Sequence, residues 1–115
     1  MGVPEQLTIE VRRVPGRAIL ALAGELDMAS AELLRQALEA EDLQREPMIV
    51  LDLQQLTFID STGLRSILSA LEGCRERQQQ FAITPGSQQV QRLLRIAGVA
   101  DHLPTIATAG EAPAA

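Results

Sequence analysis

Four small polar residues, Asp60-Ser61-Thr62-Gly63, are the part of this sequence best equipped for chemistry. They stand between the apolar pair Phe58-Ile59 and a stretch in which Leu64, Ile67, Leu68 and Leu71 recur at the spacing of one helix face. A strand therefore passes directly into a helix at this corner. The first turn of a helix leaves four backbone N–H groups without partners, and the helix dipole adds positive charge there. One chemistry for the motif is capping, in which an Asp or Ser oxygen fills one of those donors. Another is phosphate acceptance by Ser61, since helix N-termini favour anions and a phosphoryl group adds nearly two negative charges beside Asp60. A third, the Asp-Ser/Thr-Gly triplet of aspartic proteases, fails. An extra residue separates Asp60 from Gly63, and the chain has no second motif to complete a carboxylate dyad.

The remaining candidates are weaker. His102 and Cys74 are the only soft ligands, whereas a structural zinc site takes about four, so no metal is expected. Cys74 falls three residues after Leu71 on the same apolar stripe and reads as a small core residue. Glu39, Glu41 and Asp42 read as solvated acids. No Walker-type phosphate loop, no paired acid and base and no nucleophile with its base is present, so neither a cofactor nor an enzymatic activity is expected. All ten basic residues are scattered arginines, only two aromatics occur (Phe58 and Phe81) and the net charge is −5, which argues against nucleic acid. No apolar run approaches the roughly 18–20 residues of a membrane span, and MGVPEQLTIEV lacks a secretory layout. With a single cysteine as well, the expected location is the cytoplasm.

The elements that must position the motif are legible as periodicities. Leu7, Ile9 and Val11 alternate with polar residues as a half-buried strand, Pro15-Gly16 turns the chain, and Ala18 to Leu22 returns as a hairpin partner that Gly24 ends. Asp27 or Ser30 caps a helix running to about Leu43 on Leu33, Leu34, Ala37 and Leu38. Met48 to Leu51 reads as a central strand, Gln54-Gln55 as a polar break, and Leu56 to Ile59 as the run into the motif. After the helix from Leu64 to about Arg77 come a short strand, Phe81 to Ile83, and a third helix on Val90, Leu93, Leu94 and Ala97, stopped by Gly98. Thr105 to Ala107 reads as a last short strand. The expectation is one α/β domain over residues 7–106, a small mixed sheet with helices packed mainly on one face, between a tail at 1–6 and a flexible tail at 107–115.

Three stretches together resemble the STAS domain of bacterial anti-sigma-factor antagonists. They are Ala23-Gly24-Glu25-Leu26-Asp27, then Leu51-Asp52-Leu53 through Phe58-Ile59-Asp60-Ser61-Thr62-Gly63-Leu64, and finally Pro85 with Val90, Arg92-Leu93-Leu94 and Gly98-Val99. The resemblance implies a partner-switching cycle. The unphosphorylated antagonist binds an anti-sigma factor that is also a serine kinase, the kinase phosphorylates Ser61, and a serine phosphatase restores the active form. It implies a docking face of Asp27, Asp60, Ser61, Thr62, Gly63 and Arg65, with Thr62 the weaker acceptor. Arg65 stands where many members have glycine, and Ala109-Gly110-Glu111-Ala112-Pro113 replaces the family's usual final helix. The alternative within the same fold is a docking subunit of an ABC-type lipid transporter, or a component of a stress-sensing scaffold, with no sigma-factor cycle.

Overall fold

Pro15-Gly16 folds the chain back on itself, because proline's fixed φ suits the first corner of a turn and Gly16 takes the second at φ +86°. In the computed structural model, which describes residues 6–109, this turn joins β1 (Thr8–Val14) to β2 (Arg17–Leu26) as an antiparallel hairpin. Two parallel strands follow, β3 (Met48–Ile59) on β2 and β4 (Gln80–Ile83) on β3, so the sheet order is β1-β2-β3-β4. Helices α1 (Ala31–Leu38) and α2 (Glu41–Gln44) connect β2 to β3, α3 (Ser61–Glu76) connects β3 to β4, and α4 (Gln88–Ile96) comes after β4. Both crossovers step the same way along the sheet, and crossovers are right-handed, so their helices fall on the same face. The expected α/β architecture with one-sided helices is what forms.

That asymmetry divides the core. On the helix side Leu20, Leu22 and Leu26 of β2 and Ile49, Leu51 and Leu53 of β3 pack with Leu34, Ile67, Leu71 and Leu94. On the other side a smaller cluster of Ile19, Met48, Val50 and Ala82 is covered, among the described residues, by Ile106 and Ala109. Ala109 belongs to the segment expected to be a loose tail, yet it is buried and its carbonyl accepts from the Arg17 guanidinium at 3.2 Å. An uncovered apolar face recruits whatever chain is near. Residues 1–5 and 110–115 of the two expected tails lie outside the described residues.

Several boundaries differ from the periodic reading. Gly24 does not end β2. It continues the strand at φ +101°, where a Cβ would stand 2.2 Å from the carbonyl oxygen of Gln6, so the glycine serves close approach. Gln54-Gln55 does not divide β3 either. Between the Ala21–Asp52 and Ala23–Gln55 pairs, and again between Gly24–Leu56 and Glu25–Phe58, β3 advances one residue more than β2. Such bulges take up extra residues without ending the ladder. The expected helix to Leu43 is two helices, because Ala40 turns extended (φ −58°, ψ 128°). That break lets Leu43 enter the core while Arg13 of β1 pairs with Asp42 and Glu46. Val11 is 42% exposed rather than half-buried, since the helix layer does not reach the edge strand. Thr105–Ala107 shrinks to a single parallel bridge, Ile83 to Thr105. His102 is exposed in a 3-10 turn, Ala100–His102.

Two glycines in α3 and one cysteine make the packing testable. A Cβ on Gly63 would lie 2.2 Å from the Leu26 carbonyl oxygen, whereas one on Gly73 meets only the mobile end of Arg77 at 3.3 Å. Gly63→Ala is expected to lower unfolding stability by about 3 kcal/mol through overpacking, and Gly73→Ala to raise it by roughly 0.5–1 kcal/mol through helix propensity. Urea titrations of both variants check the contrast. Cys74 is fully buried on the same helix, and burial pushes its thiol pKa up, against a smaller opposing pull from Arg77. An aromatic disulfide reagent is therefore expected to label Cys74 only at the rate at which the protein opens, and at once in denaturant.

Candidate functional site

The corner forms where β3 stops. Ile59 is still core, and Asp60 takes an extended conformation (φ −113°, ψ −173°) that carries the chain out of the sheet. Its Oδ1 accepts the N–H of Gly63 at 2.8 Å, and its own N–H donates to the Leu26 carbonyl at 3.3 Å. Asp60 is thus the N-cap of α3, and of the two chemistries open for the motif the capping one falls to it. Ser61 is the first residue of the helix and is exposed. Among the described residues no hydrogen bond uses its hydroxyl; the neighbouring side-chain bonds are Asp60 with Gly63, and Ser66 Oγ donating to the Gly63 carbonyl at 2.6 Å. The first turn of α3 carries no acidic residue, so beyond the Asp60 cap its positive end faces solvent.

Asp27 sits in the loop that leaves β2. Its Oδ1 accepts from the N–H groups of Ala29 at 3.0 Å and Ser30 at 3.1 Å, an Asx-type turn that leads into α1. Ser30, although formally the N-cap of α1, makes no capping bond; its hydroxyl donates to the Glu25 carbonyl at 2.7 Å and accepts from the Asp27 N–H. Asp27 therefore shapes its own loop, and the Leu26 carbonyl binds that loop to the start of α3. The structure brings Asp27, Asp60, Ser61, Thr62 and Gly63 together at the C-terminal ends of the parallel strands β2 and β3. This is the end at which open α/β sheets offer their binding sites.

Arg65 lies one turn further along α3. With Thr62 and Ser66 it lines a groove of about 440 Å³ against Ala31, Glu32 and Arg35 of α1. Arg35 is held by Glu32 and Glu39, and its hydrogen bond keeps the Glu32 carboxyl below the ordinary carboxylate range. Arg65 enters no ion pair among the described residues. Among those residues no three His, Cys, Asp or Glu side chains gather as a metal-holding group, and no helix is long and apolar enough to cross a membrane.

Two residues at this end escaped the periodic reading. Met28 is 78% exposed in the loop after Asp27, and Phe58, in the apolar run into the motif, is 48% exposed. The bulge beside Phe58 turns it out of the core. A large apolar side chain amid Asp27, Ala29 and Ser30 was the available signal for Met28; nothing in the sequence marked the bulge.

Known proteins share the sequence pattern and the fold. The STAS domain model matches residues 8–112. An anti-sigma F factor antagonist from Paenibacillus polymyxa is 33% identical over 100 residues, covering 85% of each chain. An anti-sigma-B factor antagonist from Listeria monocytogenes is 29% identical over 96 residues, covering 83% of this chain and 84% of its own. The crystal structure of an anti-sigma factor antagonist from Mycobacterium paratuberculosis superposes with a TM-score of 0.81 at 24% identity, over 95% of this chain and 92% of that one. The chain belongs to the STAS domain family.

Proposed function

We propose that this protein is an anti-sigma-factor antagonist switched by phosphorylation at Ser61. The observation that carries the reading is the division of labour at the corner: Asp60 fills the cap, which leaves the exposed Ser61 hydroxyl uncommitted at a helix N-terminus. The unphosphorylated form binds an anti-sigma factor that is also an ATP-dependent serine kinase, and the sigma factor is freed. In the transfer, Ser61 Oγ attacks the γ-phosphorus of ATP held by the kinase. The new O–P bond replaces the bond to ADP, and the serine proton passes to a base of the kinase. A serine phosphatase hydrolyses the phosphoserine and resets the cycle.

The docking face comprises Asp27, Asp60, Thr62, Gly63 and Arg65 around Ser61, with Met28 and Phe58 as its apolar anchors. Exposed large hydrophobics beside a polar centre are the groups that gain most on desolvation at an interface. A phosphoryl group here adds nearly two negative charges to that face and repels any carboxylate or apolar surface fitted to the free serine.

The decisive experiment is intact mass after incubation with the anti-sigma factor kinase and ATP. A single phosphoryl adduct on wild type and none on Ser61→Ala is expected, together with at least tenfold weaker binding of the phosphorylated form. An adduct that persists in Ser61→Ala, or binding unaffected by phosphorylation, overturns the proposal.

The cap and the acceptor separate in stability. Asp60→Ala is expected to cost about 1 kcal/mol, and Ser61→Ala less than about 0.5 kcal/mol, both read by chemical denaturation. Met28→Ala is expected to weaken partner binding about tenfold or more while leaving the melting curve in place, as an exposed anchor should; calorimetric titration measures it.

A further inference from the structure

The edge of the sheet remote from β4 carries a second surface. β1 is the terminal strand of the order β1-β2-β3-β4, and among the described residues no strand pairs with its outer side. Its register with β2 runs unbroken from the Thr8–Ala23 pair to the Val14–Arg17 pair that closes the two-residue turn. Residues of an antiparallel strand alternate in the direction of their main-chain groups. Because Val14 closes the turn onto β2, the N–H and C=O groups of Ile9, Val11 and Arg13 point outwards. Natural edges of this kind are blunted by a bulge, a proline or charged side chains. β1 has no bulge and no proline; it does carry charges, Glu10, Arg12 and Arg13, but they are of both signs and can therefore pair with one another across a seam.

Those charges are ordered in a way that suits one occupant. Arg13 is engaged on the helix side with Asp42 and Glu46, whereas exposed Glu10 and Arg12, on the opposite face, enter no ion pair among the described residues. When a second copy of β1 is laid antiparallel along the first with Val11 on the two-fold axis, Glu10 of each copy lies opposite Arg12 of the other. Val11, 42% exposed in the single chain, then meets its own counterpart on the helix-side face. Sliding by two residues either way puts Glu10 against Glu10 or Arg12 against Arg12, and like charges directly opposite are destabilising. One register is selected, and it is the one in which the three outward-facing residues pair through about six main-chain hydrogen bonds.

We infer that β1 is a self-complementary edge through which two copies of this protein join their sheets, Val11 to Val11, with Glu10–Arg12 pairs across the seam. The contact is a single strand pair and is smaller than a standard interface, so the dimer is weak, with a dissociation constant on the order of 10–100 µM. It leaves the corner at Ser61 free, since that corner lies at the ends of β2 and β3 and not along β1.

Sedimentation equilibrium of the full chain from about 10 µM to about 1 mM tests the pairing. Wild type is expected to dimerise in that range, Glu10→Arg and Arg12→Glu each to weaken it at least tenfold, and the double variant to recover to within about threefold. Thermal melts of the dilute monomers show that the variants remain folded. A wild type that stays monomeric to about 1 mM overturns the inference, as do single variants that dimerise like wild type or a double variant that fails to recover. The variants are exposed and away from the Ser61 corner, so phosphoryl uptake at Ser61 reads that proposal separately from this one.

Discussion

The fold's working corner rests on one close approach, that of the first turn of α3 to the Leu26 carbonyl at the end of β2. Asp60 donates its N–H to that oxygen, and the Gly63 Cα sits so near it that any Cβ would stand 2.2 Å away. The contact fixes where β3 ends and at what angle α3 begins. It also brings the Asp27 loop beside the helix N-terminus. A glycine and an aspartate three residues apart therefore do one job: the glycine allows the approach, and the aspartate caps the helix that the approach positions.

From that contact the rest of the architecture follows with little freedom. α3 lies across the helix side of the sheet on Leu64, Ile67, Leu71 and Cys74, and its burial brings the α1 face carrying Leu34 against it. Because both crossovers fall on one side, the cover over Ile19, Val50 and Ala82 on the opposite side is, among the described residues, the short stretch around Ile106 and Ala109. The helix-side layer also stops short of β1, so Val11 stays 42% exposed. One-sided packing thus produces the firm corner at the end of the central strands and the open edge at β1 together.

How far the sequence could be read depended on whether a feature was periodic or relational. The helices α3 and α4, the hairpin turn at Pro15-Gly16 and the central place of β3 follow from spacing and turn chemistry, and they formed as expected. The Asp60-Ser61-Thr62-Gly63 corner was legible because it interrupts two strong periodicities. Features set by contacts distant in sequence were not legible. Gly24 looked like a stop signal and proved to be a passing place for the chain at Gln6. The bulges that turn Phe58 outwards depend on how many residues β2 offers opposite β3, which no local window contains. The split after Leu38 reflects Arg13 reaching across from β1 to Asp42 and Glu46, again a relation between distant residues. Which of Asp60 and Ser61 caps the helix was open in the motif itself, since both can do so, and geometry gives the task to Asp60.

That assignment bears on why a charge placed at Ser61 would act on binding and not on folding. A phosphoryl group at the first helical position gains about 0.3–1 kcal/mol, at most about 2, from the helix dipole. Against this the neighbouring Asp60 carboxylate, on a solvated surface, repels the nearly two added charges by on the order of 1–2 kcal/mol in total. Asp60, tied to the Gly63 N–H, is not free to swing aside. The two effects are of similar size and opposite sign, so the folded monomer is little changed. Under a docked partner the balance fails: the solvent that screened the repulsion is gone, and an unpaired charge buried in an interface costs several kcal/mol. A serine already used as the cap would have coupled phosphorylation to helix fraying. With the cap on the neighbouring aspartate, a phosphoryl charge at Ser61 would bear on a docked interface alone.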